Sequence, residues 1–137
     1  SKGLTGEAVR YWEASSIQER HFSDFANLSL AGVYHSRNND ERAFYYLDRI
    51  KDTSYAAANK YEQTGDIFAG QGRYDDAVAA YRKALEINSG LRTVRAKLIN
   101  ILLKMEKQEE ARDERRKLEY INSFYTLYGK KEKTGEK

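Results

Sequence analysis

The chain has 137 residues, no proline, no cysteine, a single tryptophan and a formal net charge of +3. Its length allows a core that buries roughly two thirds of the unfolded surface, and the missing cysteine excludes disulfide frameworks, thiolate metal sites and thiol nucleophiles. The two histidines, His21 and His35, argue against a histidine-based metal cluster, and no run of about 18 apolar residues is present to span a membrane.

Proline usually supplies about 5% of a chain and punctuates its loops. A chain with none, rich in Ala, Leu, Glu, Lys, Arg and Gln, is expected to be helical throughout. It opens Ser1-Lys2 without a visible signal peptide, and is expected to be a processed or excised piece of something longer. Residues 1–23 read as one helix, with Ala8, Val9 and Trp12 at helical spacing. In residues 24–57, Leu30, Ala31, Tyr34, Ala43 and Leu47 suggest a pair of helices. The segment 58–91 is clearest. Tyr61, Ile67 and Phe68 mark one helix closed by Gly70 and Gly72, and Ala77, Val78, Tyr81, Ala84 and Leu85 line one face of the next. Residues 92–125 keep Leu98, Leu102, Ala111 and Leu118, with a helical extension to about 128. The charged residues 129–137 read as a disordered tail.

These segments share a period. Ala43, Ala77 and Ala111 are spaced by 34 residues, as are Tyr34, Phe68 and Leu102, and Leu30, Thr64 and Leu98. A fixed period of this size signals stacked helical hairpins. The pattern Gly65, Phe68, Gly72, Tyr74, Ala77, Tyr81 and Ala84 resembles the tetratricopeptide repeat (TPR) family over residues 58–91, with 24–57 and 92–125 as degenerate copies. Arg95 and Arg115 stand where that family carries aromatics, and Tyr55, Ser89 and Ser123 stand where it usually carries proline. Serines at such junctions are expected to cap the next helix instead. Ala8, Val9 and Trp12 repeat the pattern of Ala77, Val78 and Tyr81, so residues 1–23 resemble the second helix of a truncated preceding repeat.

The resemblance implies an all-α fold: a right-handed superhelical stack of antiparallel helix hairpins, a TPR α-solenoid. Small residues at Ala31, Gly65, Ala43, Ala77 and Ala111 would let paired helices approach, and Tyr34, Phe68, Tyr74 and Tyr81 would fill the space between hairpins. It also implies a concave partner-binding groove lined by the first helix of each repeat. By position these groove residues are Phe25, Leu28, Asn59, Glu62, Gln63, Asp66, Thr93, Lys97, Asn100 and Lys104. The face would run from apolar Phe25 and Leu28 to Lys97 and Lys104, two cations expected to select acidic groups. Carboxylate-clamp TPR domains that hold chaperone C-termini use lysines, asparagines and an arginine where this chain has Leu28, Gly32, Gln63, Thr93 and Lys97. Only Lys97 is chemically similar, so that partner class is rejected.

No catalytic constellation, cofactor site or metal site is read. Ser15, Ser16, His21 and Asp24 lie on adjacent turns, whereas triads are assembled across a fold. The acidic pairs Asp75-Asp76 and Glu109-Glu110 sit at helix starts, where they complement the helix dipole. Leu118, Ile121, Tyr125 and Tyr128 keep helical spacing past the last repeat and form a candidate C-terminal interface. The expectation is therefore a non-enzymatic adaptor or scaffold that binds a protein or peptide in its groove. The alternative is a structural self-assembly protein whose truncated ends and aromatic C-terminal helix join copies. Excess positive charge lies only in Arg92, Arg95, Lys97 and the tail, too thin to favour nucleic acid or an anionic membrane as the partner. The expected compartment is the cytoplasm, with a periplasmic or membrane-anchored parent protein left open.

Overall fold

The computed structural model describes the backbone of residues 6–18 and 20–134, and the side chains of 6–13 and 23–129. Those residues form seven helices and no strand: α1 (Gly6–Gln18), α2 (Arg20–Ser36), α3 (Asp40–Asp48), α4 (Ala57–Gly70), α5 (Tyr74–Ile87), α6 (Arg92–Lys104) and α7 (Gln108–Thr134).

The 34-residue period is written into the backbone. Asn38, Gly72 and Glu106 all adopt left-handed conformations, with φ of 60°, 75° and 60°. The residue after each donates its N–H to a carbonyl five positions back: Asn39 to Tyr34 at 2.8 Å, Arg73 to Phe68 and Lys107 to Leu102 at 2.9 Å. This pattern closes the first helix of each hairpin and redirects the chain into the second. Asp40-Glu41, Asp75-Asp76 and Glu109-Glu110 then fall in the first turns of α3, α5 and α7, where negative charge meets the positive helix end.

Of the three left-handed positions, only Glu106 carries a long side chain ill suited to that conformation. A left-handed residue with a Cβ costs about 1–2 kcal/mol, partly offset by the freedom glycine has in the unfolded chain. Glu106→Gly is expected to stabilise the fold by about 0.5–1 kcal/mol, read as a raised denaturant midpoint. A lowered midpoint would contradict this account of the turn.

The hairpins α2/α3, α4/α5 and α6/α7 stack in order, with α1 laid against α2. Glu13 of α1 accepts from Tyr34 of α2 at 3.0 Å and from Tyr46 of α3 at 3.3 Å. Two apolar clusters hold the stack. One joins Val9, Leu30, Ala31, Ala43, Leu47 and Ile67. The other joins Ala77, Tyr81, Ala84, Leu98, Leu102 and Ala111. Helix α4 bridges them: Ile67 lies in the first, Phe68 packs against the second, and the Phe68 ring sits 5.1 Å from that of Phe44.

Two expectations are corrected. Helix α7 continues to Thr134, past the boundary near 128, so the charged segment up to that residue is helical rather than disordered. Gly129 within it costs the helix about 1 kcal/mol relative to alanine. Residues 135–137 lie outside the described residues. None of the junction serines supplies a helix cap: Ser54 Oγ accepts from the Ala56 N–H at 3.0 Å in the turn ahead of α4 and donates to Asp24, while the α4 N-cap is Ala56 without a side-chain bond. Ser89 instead gives its carbonyl to Arg95 at 3.0 Å, and Ser123 lies inside α7.

Candidate functional site

Helices α2, α4 and α6 are successive neighbours. His35 of α2 lies beside Gly70 of α4, and Lys97 of α6 reaches back to α4. The Lys97 Nζ donates to Glu62 Oε2 and to Asp66 Oδ2, both at 3.0 Å, and Tyr81 of α5 donates to Asp66 Oδ1 at 2.6 Å. Burial works against the Lys97 ammonium, but the hydrogen bonds to Asp66 and Glu62 outweigh it and raise its pKa. Burial first, then donation to Asp66, push the Tyr81 phenol far above its ordinary range. The node therefore holds one cation between two carboxylates and has a net charge of about −1 at neutral pH.

The sequence-derived groove residues divide around this node. Glu62, Asp66 and Lys97 meet in it. Lys97 is thus not a free cation awaiting an acidic partner. Asn59, Thr93 and Asn100 are exposed and lie within one turn of the node on α4 and α6, while Gln63 is half-buried. Lys104 is exposed, its Nζ 5.8 Å from the Tyr74 ring. Phe25 is exposed, whereas half-buried Leu28 packs against the first core cluster. At the end of α2, His35 Nδ1 lies 2.7 Å from Asp40 Oδ1, and Gln71 donates to Asp40 Oδ2 at 2.9 Å. The His35 contact, aided by Gln71 and opposed by burial, lowers the Asp40 pKa.

A second polar node was not legible in the sequence. Arg95 and Glu114 are 6% and 4% exposed and pair directly between α6 and α7. Arg82 of α5 adds a contact to Glu114 at 3.3 Å and one to Glu110 at 2.9 Å, and Lys117 reaches Glu114 at 3.3 Å. Burial raises the Glu114 pKa, yet the Arg95 hydrogen bond and the charges of Lys117 and Arg95 hold it below the usual value. The place given to an aromatic in the clearest repeat is thus filled by an ion pair. A charged residue at that position, with an acid 19 residues on, is the signal that could have found it.

The C-terminal stripe splits. Leu118 and Ile121 are half-buried, Tyr125 lies with the Arg92 guanidinium 4.5 Å from its ring, and Tyr128 is exposed. Asp24 is engaged with Ser54, and Ser15, Ser16 and His21 lie outside the described side chains. Among the described residues, no group of three or more His, Asp or Glu could hold a metal ion, and no helix is long and apolar enough to cross a membrane.

Stacked antiparallel hairpins, with their first helices side by side, define a helical-repeat protein of the kind that serves as an interaction scaffold. The chain belongs to the tetratricopeptide repeat-like domain family, whose model matches residues 6–104. A solved mutant of MamA is similar over 88% of this chain and 87% of that one, with a TM-score of 0.60 and 17% identity, a likeness of fold. No curated protein matches the sequence.

Proposed function

We propose that the chain is a non-enzymatic interaction scaffold that takes a protein segment along the face of α2, α4 and α6. The observation that carries this reading is the Glu62–Lys97–Asp66–Tyr81 node. Its side chains are held in place by one another, its net charge is negative, and exposed Asn59, Thr93 and Asn100 lie within a turn of it. A node fixed before binding loses little side-chain freedom on association. The asparagines offer both a donor and an acceptor to a partner's backbone. The net negative charge favours a lysine or arginine in the bound segment, while Lys104 favours an acidic residue toward the far end of α6.

Peptides selected from a random library on the immobilised chain supply the probe. Those that bind the face are expected to share a basic residue. Glu62→Gln, which keeps the shape but removes the excess charge, should weaken their calorimetric affinity about tenfold. Arg112→Glu, on exposed α7, should leave it unchanged. Equal affinities for wild type and Glu62→Gln would sink the assignment of this face.

A further inference from the structure

Asp52 and Glu86, Tyr61 and Arg95, and Lys83 and Lys117 are each 34 residues apart. The same three places therefore recur, once where α3 leads into α4 and α5 and once where α5 leads into α6 and α7. In the earlier copy a carboxylate of the chain fills the centre. Helix α3 ends at Asp48 and the chain turns back, so Asp52 accepts from Tyr61 at 2.5 Å and lies 3.5 Å from Lys60 and 4.0 Å from Lys83. In the later copy α5 continues to Ile87. Glu86 is held on its last turn, exposed, and forms no hydrogen bond or ion pair among the described residues.

A cavity of about 390 Å³ lies beside this later copy, with Arg82, Glu86, Ser89, Arg95, Glu114 and Lys117 in its lining. Its donors outnumber its acceptors. Glu114 takes one contact each from Arg95, Arg82 and Lys117, and Glu110 takes the other end of Arg82. Arg95 is buried, yet its Nε has no hydrogen-bond partner. A buried donor left unpaired costs free energy, and here it marks a cluster short of one acceptor. Lys117 and Arg82 both reach solvent, and an ammonium with one contact has two further N–H groups to give. Ser89 gives its carbonyl to Arg95 and keeps its hydroxyl for another partner. We propose that this cavity, distinct from the Glu62–Lys97–Asp66 node, binds a phosphate group. Phosphate brings three acceptor oxygens and up to two negative charges, enough to engage Lys117, Arg82 and Ser89 together with the Arg95 charge behind them. Glu86 is the one acid of the lining that opposes it.

Amide chemical shifts of the labelled full chain, titrated with inorganic phosphate at constant ionic strength, test this. Saturable shifts are expected at Glu86, Ser89, Arg95 and Lys117, with a dissociation constant of about 1 mM. Lys117→Gln, at an exposed position, should weaken binding about tenfold without loss of helix by circular dichroism. Glu86→Gln, which removes the opposing acid, should tighten it about threefold. Lys83→Gln, the equivalent change one repeat earlier, should leave it unchanged, because Asp52 already sits there. O-phosphoserine in place of the free ion separates a phosphate ester from inorganic phosphate, and binding of either with these dependences supports the site. Shifts that do not saturate, or that spread over lysines and arginines elsewhere, mean an adventitious ion only and overturn the proposal. So does acetate that binds as tightly as phosphate, or an affinity indifferent to Lys117→Gln. The groove assignment is independent of all these outcomes.

Discussion

Glu114→Ala is expected to cost the fold about 3–5 kcal/mol, because it strands Arg95 as a buried charge without its partner. Arg95 already has one buried nitrogen, Nε, without a hydrogen-bond partner, so little is left to compensate the loss. The effect should be concentrated where α5, α6 and α7 meet, since Arg82, Arg95 and Lys117 all converge on that carboxylate. Replacing both members, as Arg95→Leu with Glu114→Leu, should recover most of the loss, because paired apolar replacements of buried ions are often neutral or better. Denaturant unfolding of both singles and the double gives the coupling between them. A Glu114→Ala cost below about 1 kcal/mol would mean that water solvates the pair.

The same carboxyl gives a pH signature. Despite burial, its Arg95 hydrogen bond and the neighbouring Lys117 and Arg95 charges hold its folded pKa below that of an ordinary glutamate. The stability it contributes is therefore fully present above that ordinary pKa and is lost as pH falls through the folded pKa. Glu114→Ala should flatten the acid limb of the stability curve and leave its shape near neutrality unchanged.

Gly65→Ala is expected to destabilise by about 2–3 kcal/mol even though alanine favours a helix by about 1 kcal/mol over glycine. A Cβ at Gly65 would stand 2.5 Å and 2.6 Å from two ring carbons of Tyr81. That ring is 2% exposed and tied by its hydroxyl to Asp66, so it cannot swing aside without losing a hydrogen bond to a charged acceptor. Overpacking of this kind costs about 1–3 kcal/mol, and the lost bond about 1.5–3 kcal/mol. Gly32→Ala is the control. It lies in α2 with nothing within 4 Å of its Cβ position, and should stabilise by about 0.5–1 kcal/mol. Gly65→Ala combined with Tyr81→Leu should recover part of the loss. A stabilising Gly65→Ala would refute the close contact between α4 and α5.

What the sequence made legible follows from what repeats. Ala43, Ala77 and Ala111 are buried at 0%, 0% and 1% exposure, because each second helix needs a small residue in the same place. Gly72 was readable as a turn because glycine is the ordinary left-handed residue. Asn38, which tolerates that conformation, was a weaker signal, and Glu106 holds it without any chemistry that favours it, so composition could not announce it. The groove was legible by position but not by charge state. Lys97 meets Glu62 and Asp66, 35 and 31 residues away, close to one period, and such cross-repeat pairing becomes visible only once adjacent first helices are laid side by side. The Arg95–Glu114 pair has no periodic counterpart at all. On α7, the stripe Leu118, Ile121, Tyr125 and Tyr128 and the row Tyr120, Phe124 and Leu127 both have helical spacing. Packing alone divides them: Leu118 and Ile121 are half-buried, whereas Tyr128 is exposed with Tyr120, Phe124 and Leu127.

The central claim is that the face of α2, α4 and α6 receives a protein segment. Amide chemical-shift mapping of the labelled chain, titrated with a library-selected peptide, tests it most directly. Shifts should cluster at Phe25, Asn59, Glu62, Thr93, Lys97 and Asn100, and be sparse on α3 and α5. Shifts confined to α3, α5 or the outer side of α7 would contradict it.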